Sequence, residues 1–240
     1  MKLALRGARK ALGDTKQRAR PTTLFDLRLT VAQLWSGVLR DVALQVVVLI
    51  AFFGALRLGN LCPSGPGRKW ASVEGRVVAM GHCEVDATGQ TLIVTLQYSK
   101  TIQFRERVHR IQLDAVPEAA LCPVRAFTEL QRLRAAQPEQ IGPVGAVARF
   151  GMDADAIWSC EAVLRRLEAV VPRVVSTPHE KGHLTRHSFR RGFVKLAVER
   201  GVAPERVMLH GDWKELRTVR DYAAGAAVVT DVVRRVWGPG

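Results

Sequence analysis

The sequence predicts an α+β fold that is mostly α-helical, with one small antiparallel β-sheet. Three features indicate this fold. Residues 42–56 form an apolar run with the length of a buried helix, residues 77–78 and 92–96 are rich in β-branched and aliphatic side chains, and the pattern from Pro123 onward is helical again. Hydrophobic residues make up 48% of the 240-residue chain, which is enough for a sizeable core.

Capping and turn residues mark the individual elements. Thr22 and Thr23 can cap a helix that runs towards Val38, and Asp41 can open the apolar helix that ends near Leu56. Residues 59–68 have the glycine and proline content of a loop, and residues 103–113 are predicted to add a strand to the sheet. The later helices are predicted at residues 123–135, 160–170, 188–200, 204–209, 215–224 and 226–237.

The N-terminal residues 1–21 are expected to be separate from the main domain, residues 22–240. Residues 1–12 suggest a basic amphipathic helix, and residues 13–21 form a polar linker that ends at Pro21. The start of the chain lacks the apolar core of a secretory signal, and the run at residues 42–56 contains Gln45 and is too short for a bilayer. We therefore expect an intracellular protein without a membrane partner.

Composition also restricts the partners and cofactors. The 36 Lys and Arg residues exceed the 22 Asp and Glu residues and give a formal charge of +14, which favours a polyanion and nucleic acid above all. The four cysteines lack the paired short spacing of a zinc site or a disulfide framework. The sequence contains no P-loop and no His-Glu-x-x-His motif. No cofactor, metal or small-molecule substrate is expected.

The most informative stretch lies near the C-terminus. It contains His187-Ser-Phe-Arg190-Arg-Gly, then Gly201, a Gly-Asp-Trp turn ending at Trp213, and Tyr222. The order and intervals of these residues resemble the C-terminal half of tyrosine recombinases, in which His-x-x-Arg opens a helix and a Gly-x-His/Trp turn precedes a nucleophilic tyrosine. Tryptophan in that turn is the choice seen in Cre.

Motifs upstream agree with this resemblance. Gly-Ala-Leu-Arg57-Leu-Gly, at the end of the apolar helix, is similar to the family's first-arginine motif, and Ser-Lys100-Thr after a strand is similar to the hairpin that carries its lysine. The sequences of several motifs are most similar to those in recombinases of eukaryotic retroelements and Cryptons. Asn60 stands where many relatives have a carboxylate, and the resemblance spans roughly residues 22–225.

The resemblance implies a role for each matching residue, and the chemistry fits. Two guanidiniums, Arg57 and Arg190, can hold the negative charge of a phosphodiester under attack. A phenol has a pKa near ~10, so Tyr222 needs help with its proton, for which His187 is suited. Lys100 can protonate the leaving 5′ oxygen, and the Trp213 indole N–H can bind the phosphate. The predicted catalytic residues are Arg57, Lys100, His187, Arg190, Trp213 and Tyr222.

A second alignment of the histidine motif is possible, because His183-Leu-Thr-Arg186-His also resembles the corresponding motif of the family. From His183, however, the intervals to Gly201 and Trp213 are one helical turn too long, which favours His187 and Arg190. The residues around the motif are predicted to contact DNA. These DNA-contact candidates are Lys181, His183, Arg186 and Arg191.

The resemblance implies that the partner is double-stranded DNA and that the reaction passes through a 3′-phosphotyrosyl intermediate. It also implies a homotetramer on paired DNA sites, and the likeness to eukaryotic elements implies nuclear localisation. The helix at residues 226–237 could dock on a neighbour or pack on its own domain. The family's N-terminal DNA-clamping domain is represented at most by residues 1–20. Two other functions remain open: a type IB topoisomerase-like activity, and a non-catalytic DNA-binding relic of a mobile element. Each residue taken alone could also be purely structural.

Overall fold

The computed structural model describes residues 19–34, 37–65, 76–98, 108–137, 145–151, 153, 156–171 and 182–223. These ranges contain seven α-helices and a three-stranded antiparallel sheet, so the predicted α+β fold is confirmed. The helices are α1 (Leu24–Ala32), α2 (Leu39–Phe53), α3 (Pro123–Ala135), α4 (Cys160–Glu168), α5 (Ser188–Glu199), α6 (Pro204–His210) and α7 (Leu216–Ala223).

The sheet has the strand order β1 (Cys83–Val85), β2 (Thr91–Leu96), β3 (His109–Asp114). Val94 of β2 lies opposite Cys83 on one side and Ile111 on the other. Alternate residues of β2 are buried, as expected for a sheet with one face on the core. Helix α3 contacts β2 and β3, so it covers part of that face.

Helix α2 is the centre of the core. Twelve of its 15 residues are buried, and Leu44, Leu49 and Phe52 have no exposed surface. Helices α3 and α5 pack against it, and the Phe52 and Phe193 rings meet edge-on with centroids 6.2 Å apart. A helix buried on most sides has little freedom to shift, so the residues that follow its C-terminus are held in a fixed place. None of the helices in the described ranges combines the length and the apolar character needed to cross a bilayer.

The structure corrects several predicted boundaries. Helix α1 ends at Ala32 instead of running towards Val38, and α2 extends from Leu39 to Phe53 instead of ending near Leu56. Residues 77–78 are not a strand: the Val78 amide donates to the Asn60 carbonyl, and the Val78 carbonyl accepts from Val147. Strand β1 was not predicted. The helices predicted at residues 1–12 and 226–237 lie outside the described residues.

Residues 19–23 form a strap across the N-terminal turn of α5. The Thr22 amide donates to the Ser188 carbonyl at 3.0 Å, and Arg191 Nη1 donates to the Ala19 carbonyl. At Gly192 a Cβ atom would lie 1.8 Å from the Thr22 carbonyl oxygen, so only glycine allows this approach. The strap therefore fixes the helix that begins with the His-Ser-Phe-Arg motif.

A buried ion pair fixes the strap itself. Both Arg20 Nη atoms donate to the Asp26 carboxylate, at 2.9 and 3.0 Å, and both side chains are almost fully buried. Asp26 also accepts the Thr23 amide, and the Thr23 hydroxyl accepts the Asp26 amide, which forms a capping box at the start of α1. Removing one partner of this pair would leave a buried charge uncompensated.

We predict that Gly192→Ala lowers the free energy of unfolding by about 1–3 kcal/mol, the usual effect of overpacking a close-packed contact. Gly81→Ala is the matched control, because a Cβ at Gly81 meets no atom within 4 Å. Urea denaturation of both variants is the measurement. Equal stabilities for the two variants would show that the strap does not press on Gly192.

Candidate active site

Arg57 is placed by a sharp turn at the end of α2. After the C-cap Gly54, Ala55 has a φ of +48°, in the left-handed region that costs a residue with a Cβ roughly 1–2 kcal/mol. The Leu56 amide donates to the Ala51 carbonyl at 2.9 Å, which closes the turn. Arg57 then has extended backbone (φ −74°, ψ 137°) and a half-buried side chain. The chain thus reverses direction, and Arg57 leaves the rigid end of the core helix.

Arg190 lies in the first turn of α5. Its side chain is 5% exposed, and Nη2 donates to the Gly211 carbonyl at 2.6 Å. The guanidinium carbon lies 3.8 Å from the centre of the Trp213 ring, in a cation–π contact. The start of α5 is thereby joined to the turn that follows α6.

The Gly-Asp-Trp turn has a direct steric explanation. A Cβ at Gly211 would lie 1.8 Å from the Trp213 ring, so the indole folds back over a position that only glycine can occupy. Asp212, between them, has a φ of +53°, which asparagine and aspartate tolerate better than most residues. The motif is therefore required to place the indole against Arg190.

Helix α7 carries Tyr222 to the same place. Val219 is fully buried and packs in a small apolar cluster with Val194 and Val207, which anchors α7 on α5 and α6. The Tyr222 ring meets the Trp213 ring edge-on, with centroids 6.0 Å apart and an interplanar angle of 76°. Tyr222 is half-buried, so its ring is fixed while part of its surface remains accessible.

The cluster formed by Arg57, Arg190, Trp213 and Tyr222 is electrostatically positive. The pKa of the Arg190 guanidinium is lowered to about 10, first by burial and second by the charge of Arg57, while Tyr222 and Asp212 oppose the shift. A pKa of about 10 leaves the guanidinium charged at neutral pH. Two cations are thus held near one another beside a phenol.

Two N–H donors in this cluster are buried without a hydrogen-bond partner within the described part of the chain. They are Arg190 Nε and Trp213 Nε1. A buried donor without a partner is unfavourable by about 1–3 kcal/mol, so such a pair is expected where a ligand supplies the acceptors. An anion with several oxygens, such as a phosphate, fits two donors beside two positive charges. In the described ranges no group of three His, Cys, Asp or Glu side chains is placed to share a metal ion.

Four of the six predicted catalytic residues come together: Arg57, Arg190, Trp213 and Tyr222. His187 is the N-cap of α5, one turn before Arg190, and is exposed. Lys100 falls outside the described residues.

The DNA-contact candidates divide into three groups. His183 and Arg186 are exposed, and Arg186 donates to Glu161 at 2.8 Å and to Ser64 at 2.9 Å. Lys181 lies outside the described residues. Arg191 differs from the prediction: its side chain is only 4% exposed and donates to the Ala19 carbonyl in the strap. We correct its assignment to an internal anchor, because a buried guanidinium held by the strap cannot reach a duplex on the surface.

The two alignments of the histidine motif select different arginines, Arg190 and Arg186, and the structure places these two differently. Arg190 contacts Trp213 and Gly211, whereas Arg186 pairs with Glu161 at the surface and offers its backbone carbonyl to the Leu58 amide at 3.3 Å. This placement favours Arg190 as the second arginine of the cluster.

His210, the last residue of α6, lies beside Gly211 and was not predicted from the sequence. Its Nε2 atom lies 2.7 Å from the Phe53 carbonyl oxygen, and its ring stacks on Phe193 with centroids 5.0 Å apart. The pKa of His210 is lowered, mainly by burial, with a smaller effect of His109 in the same direction and an opposing effect of the bond to Phe53. The only signal in the sequence was a histidine immediately before Gly-Asp-Trp.

Comparisons with known proteins support the fold. No family model matches the chain, and no curated protein matches it in sequence. Its structure is similar to that of the site-specific recombinase XerH bound to a palindromic difH substrate in a post-cleavage complex, with a TM-score of 0.55 and 10% identity over 92% of this chain. XerH in its pre-cleavage complex with difH gives a TM-score of 0.54 and 11% identity over 93%. The chain covers 54% and 56% of those two chains, about half their length.

We predict that His210 makes stability depend on pH near neutrality. Its pKa in the folded chain lies below the value of about 6.5 expected in the unfolded chain, so the unfolded chain binds the proton more readily. The free energy of unfolding should therefore fall as the pH drops through about 6.5 and below.

Denaturant unfolding at a series of pH values measures this effect, with His210→Gln as the comparison. The variant lacks the titrating ring, so its stability should vary less between about pH 5 and 7. Identical pH profiles for the two proteins would contradict the assignment.

Proposed function

We propose that this chain breaks and rejoins DNA strands through a covalent link between Tyr222 and the 3′ phosphate of the cut strand. The observation that carries the proposal is the contact series Arg190, Trp213, Tyr222, which puts a phenol beside a buried guanidinium and two N–H donors without a partner in the described part of the chain. The charge of Arg57 acts on the same guanidinium. The similarity of the fold to a site-specific recombinase supports the same reaction class. The formal charge of +14 suits a DNA partner.

The chemistry follows from the residues of the cluster. Tyr222 Oη attacks the phosphorus atom, so that an Oη–P bond forms while the bond from phosphorus to the 5′ oxygen breaks. Arg57 and Arg190 stabilise the charge that develops on the non-bridging oxygens. His187, at the N-cap of α5, is assigned to accept the phenolic proton, and Lys100 to protonate the departing 5′ oxygen. The reverse reaction rejoins a strand with no external energy source, because the phosphotyrosyl bond retains the phosphodiester energy.

Finer properties belong to the same proposal. We assign DNA contacts to Lys181, His183 and Arg186, of which the two described residues are exposed. Three further properties rest on the motif resemblance alone. They are site-specific exchange by a homotetramer on paired sites, an origin in a mobile element of the eukaryotic retroelement or Crypton type, and a nuclear location. The division at residue 21 and the docking of residues 226–237 stay predictions. A two-site recombination assay beside relaxation of supercoiled plasmid separates strand exchange from a topoisomerase-like activity.

The first test is capture of the covalent intermediate on a nicked suicide duplex. We predict an adduct that survives denaturant, that Tyr222→Phe abolishes, and that Tyr98→Phe preserves, since Tyr98 is the only other tyrosine of the chain. Denaturing gel electrophoresis with labelled DNA is the readout. An adduct that persists in Tyr222→Phe would reject this nucleophile.

The second test separates the two arginines of the histidine motif. At saturating protein, Arg190→Lys should slow adduct formation by about 10²–10³-fold, because a lysine cannot replace the forked donors at the transition state. Arg186→Lys should slow it about 10-fold or less, since an exposed arginine acts through DNA binding. Arg132→Lys is the control, because Arg132 is an exposed residue of α3 paired with Glu129. Greater damage from Arg186→Lys than from Arg190→Lys would favour the alternative alignment on His183.

A further inference from the structure

His210 bridges separate segments of the candidate site. Its Nε2 lies 2.7 Å from the carbonyl oxygen of Phe53, and since a carbonyl can only accept, the ring must donate through Nε2–H. Phe53 is the last residue of α2, where helical carbonyls lack partners within the helix. Arg57 follows four residues later. The imidazole therefore ties the end of α6 to the segment that carries the first arginine.

The backbone of His210 makes a second link. His109 Nε2 lies 3.0 Å from the His210 carbonyl oxygen and donates to it. His109 is the first residue of β3, and the sequence puts Lys100 in the connection that leads into this strand. Residue 210 thus also holds the first residue of β3.

The residues that follow His210 complete the bridge. The Gly211 carbonyl accepts from Arg190, and the Trp213 ring covers the Arg190 guanidinium. The two turns joined by the His210–Phe53 bond each contain a residue with positive φ, Ala55 on one side and Asp212 on the other. Strained turns persist where surrounding contacts determine them, and this hydrogen bond is such a contact for both.

We propose that His210 is a positioning residue that keeps the Arg57 turn in register with the turn bearing Trp213. It acts through Phe53 and Gly211. The described contacts of its ring are with Phe53 and Phe193 and not with Arg190 Nε or Trp213 Nε1. This inference rests on the proposed DNA cleavage. Burial favours the neutral imidazole, which retains the Nε2–H donor.

Two variants separate the hydrogen bond from packing. His210→Phe keeps a ring that can stack on Phe193 and removes the donor, whereas His210→Gln keeps an N–H donor and removes the ring. Gln45→Met is the matched control, because Gln45 of α2 also donates from a side chain to a backbone carbonyl, that of Ala120, outside the cluster.

The readouts are the single-turnover rate of adduct formation on the nicked duplex and the Kd for the same DNA. His210→Phe should slow adduct formation about 10–100-fold, as loss of a supporting contact behind an active site does, and should change the Kd by less than about 3-fold. His210→Gln and Gln45→Met should stay within about 5-fold of the unchanged chain. Two results would overturn the proposal. One is an adduct-formation rate for His210→Phe within about 3-fold of that of the wild-type protein, and the other is an equal reduction of this rate in His210→Phe and His210→Gln.

Hydrogen exchange of the same proteins distinguishes this inference from the proposed function. If the unchanged chain forms no Tyr222-dependent adduct, the DNA cleavage proposal fails, and exchange still tests the bridge. Faster amide exchange at residues 55–58 and 211–213 in His210→Phe, but not in Gln45→Met, would support it. Unchanged exchange at both turns would overturn it.

Discussion

Placing the Arg190 guanidinium in the interior beside the charge of Arg57 is the constraint on which the rest of the site depends. A buried cation is costly unless it is hydrogen-bonded, and a cation–π contact with an aromatic ring stabilises it further. Here the Gly211 carbonyl supplies the hydrogen bond and the Trp213 ring supplies the covering surface. Both come from one turn, so the charge of Arg190 can be accommodated only when the segment after α6 is correctly folded. The phenol of Tyr222 is then brought in through its contact with Trp213.

The elements around the cluster explain how its shape is fixed. Helix α2 is buried on most sides and ends at the turn that carries Arg57. The strap at residues 19–23 fixes the start of α5 through Gly192, where backbone approaches backbone.

The sequence predicted the helices from Pro123 onward closely, because their periodicity and caps are local signals; α3 agrees at both ends. Four of the six residues that the family resemblance predicts as catalytic lie near one another, and their catalytic roles stay predictions. What the sequence missed depends on tertiary contacts. The burial of Arg191 follows from a carbonyl far upstream, residues 77–78 form bridging contacts in place of a strand, and α2 stops early because Ala55 adopts positive φ. His210 was missed because a histidine gives no local sign of a partner in another helix.

We propose that residues distant in the sequence surround one phosphate so that Tyr222 becomes joined to it. The most direct test of this proposal is to digest the trapped protein–DNA adduct with protease and nuclease and to locate the remaining nucleotide by tandem mass spectrometry. We expect the nucleotide phosphate to be carried by the phenolic oxygen of Tyr222, in the peptide from α7. A nucleotide attached to any other residue, such as Tyr98 or a serine, would contradict it.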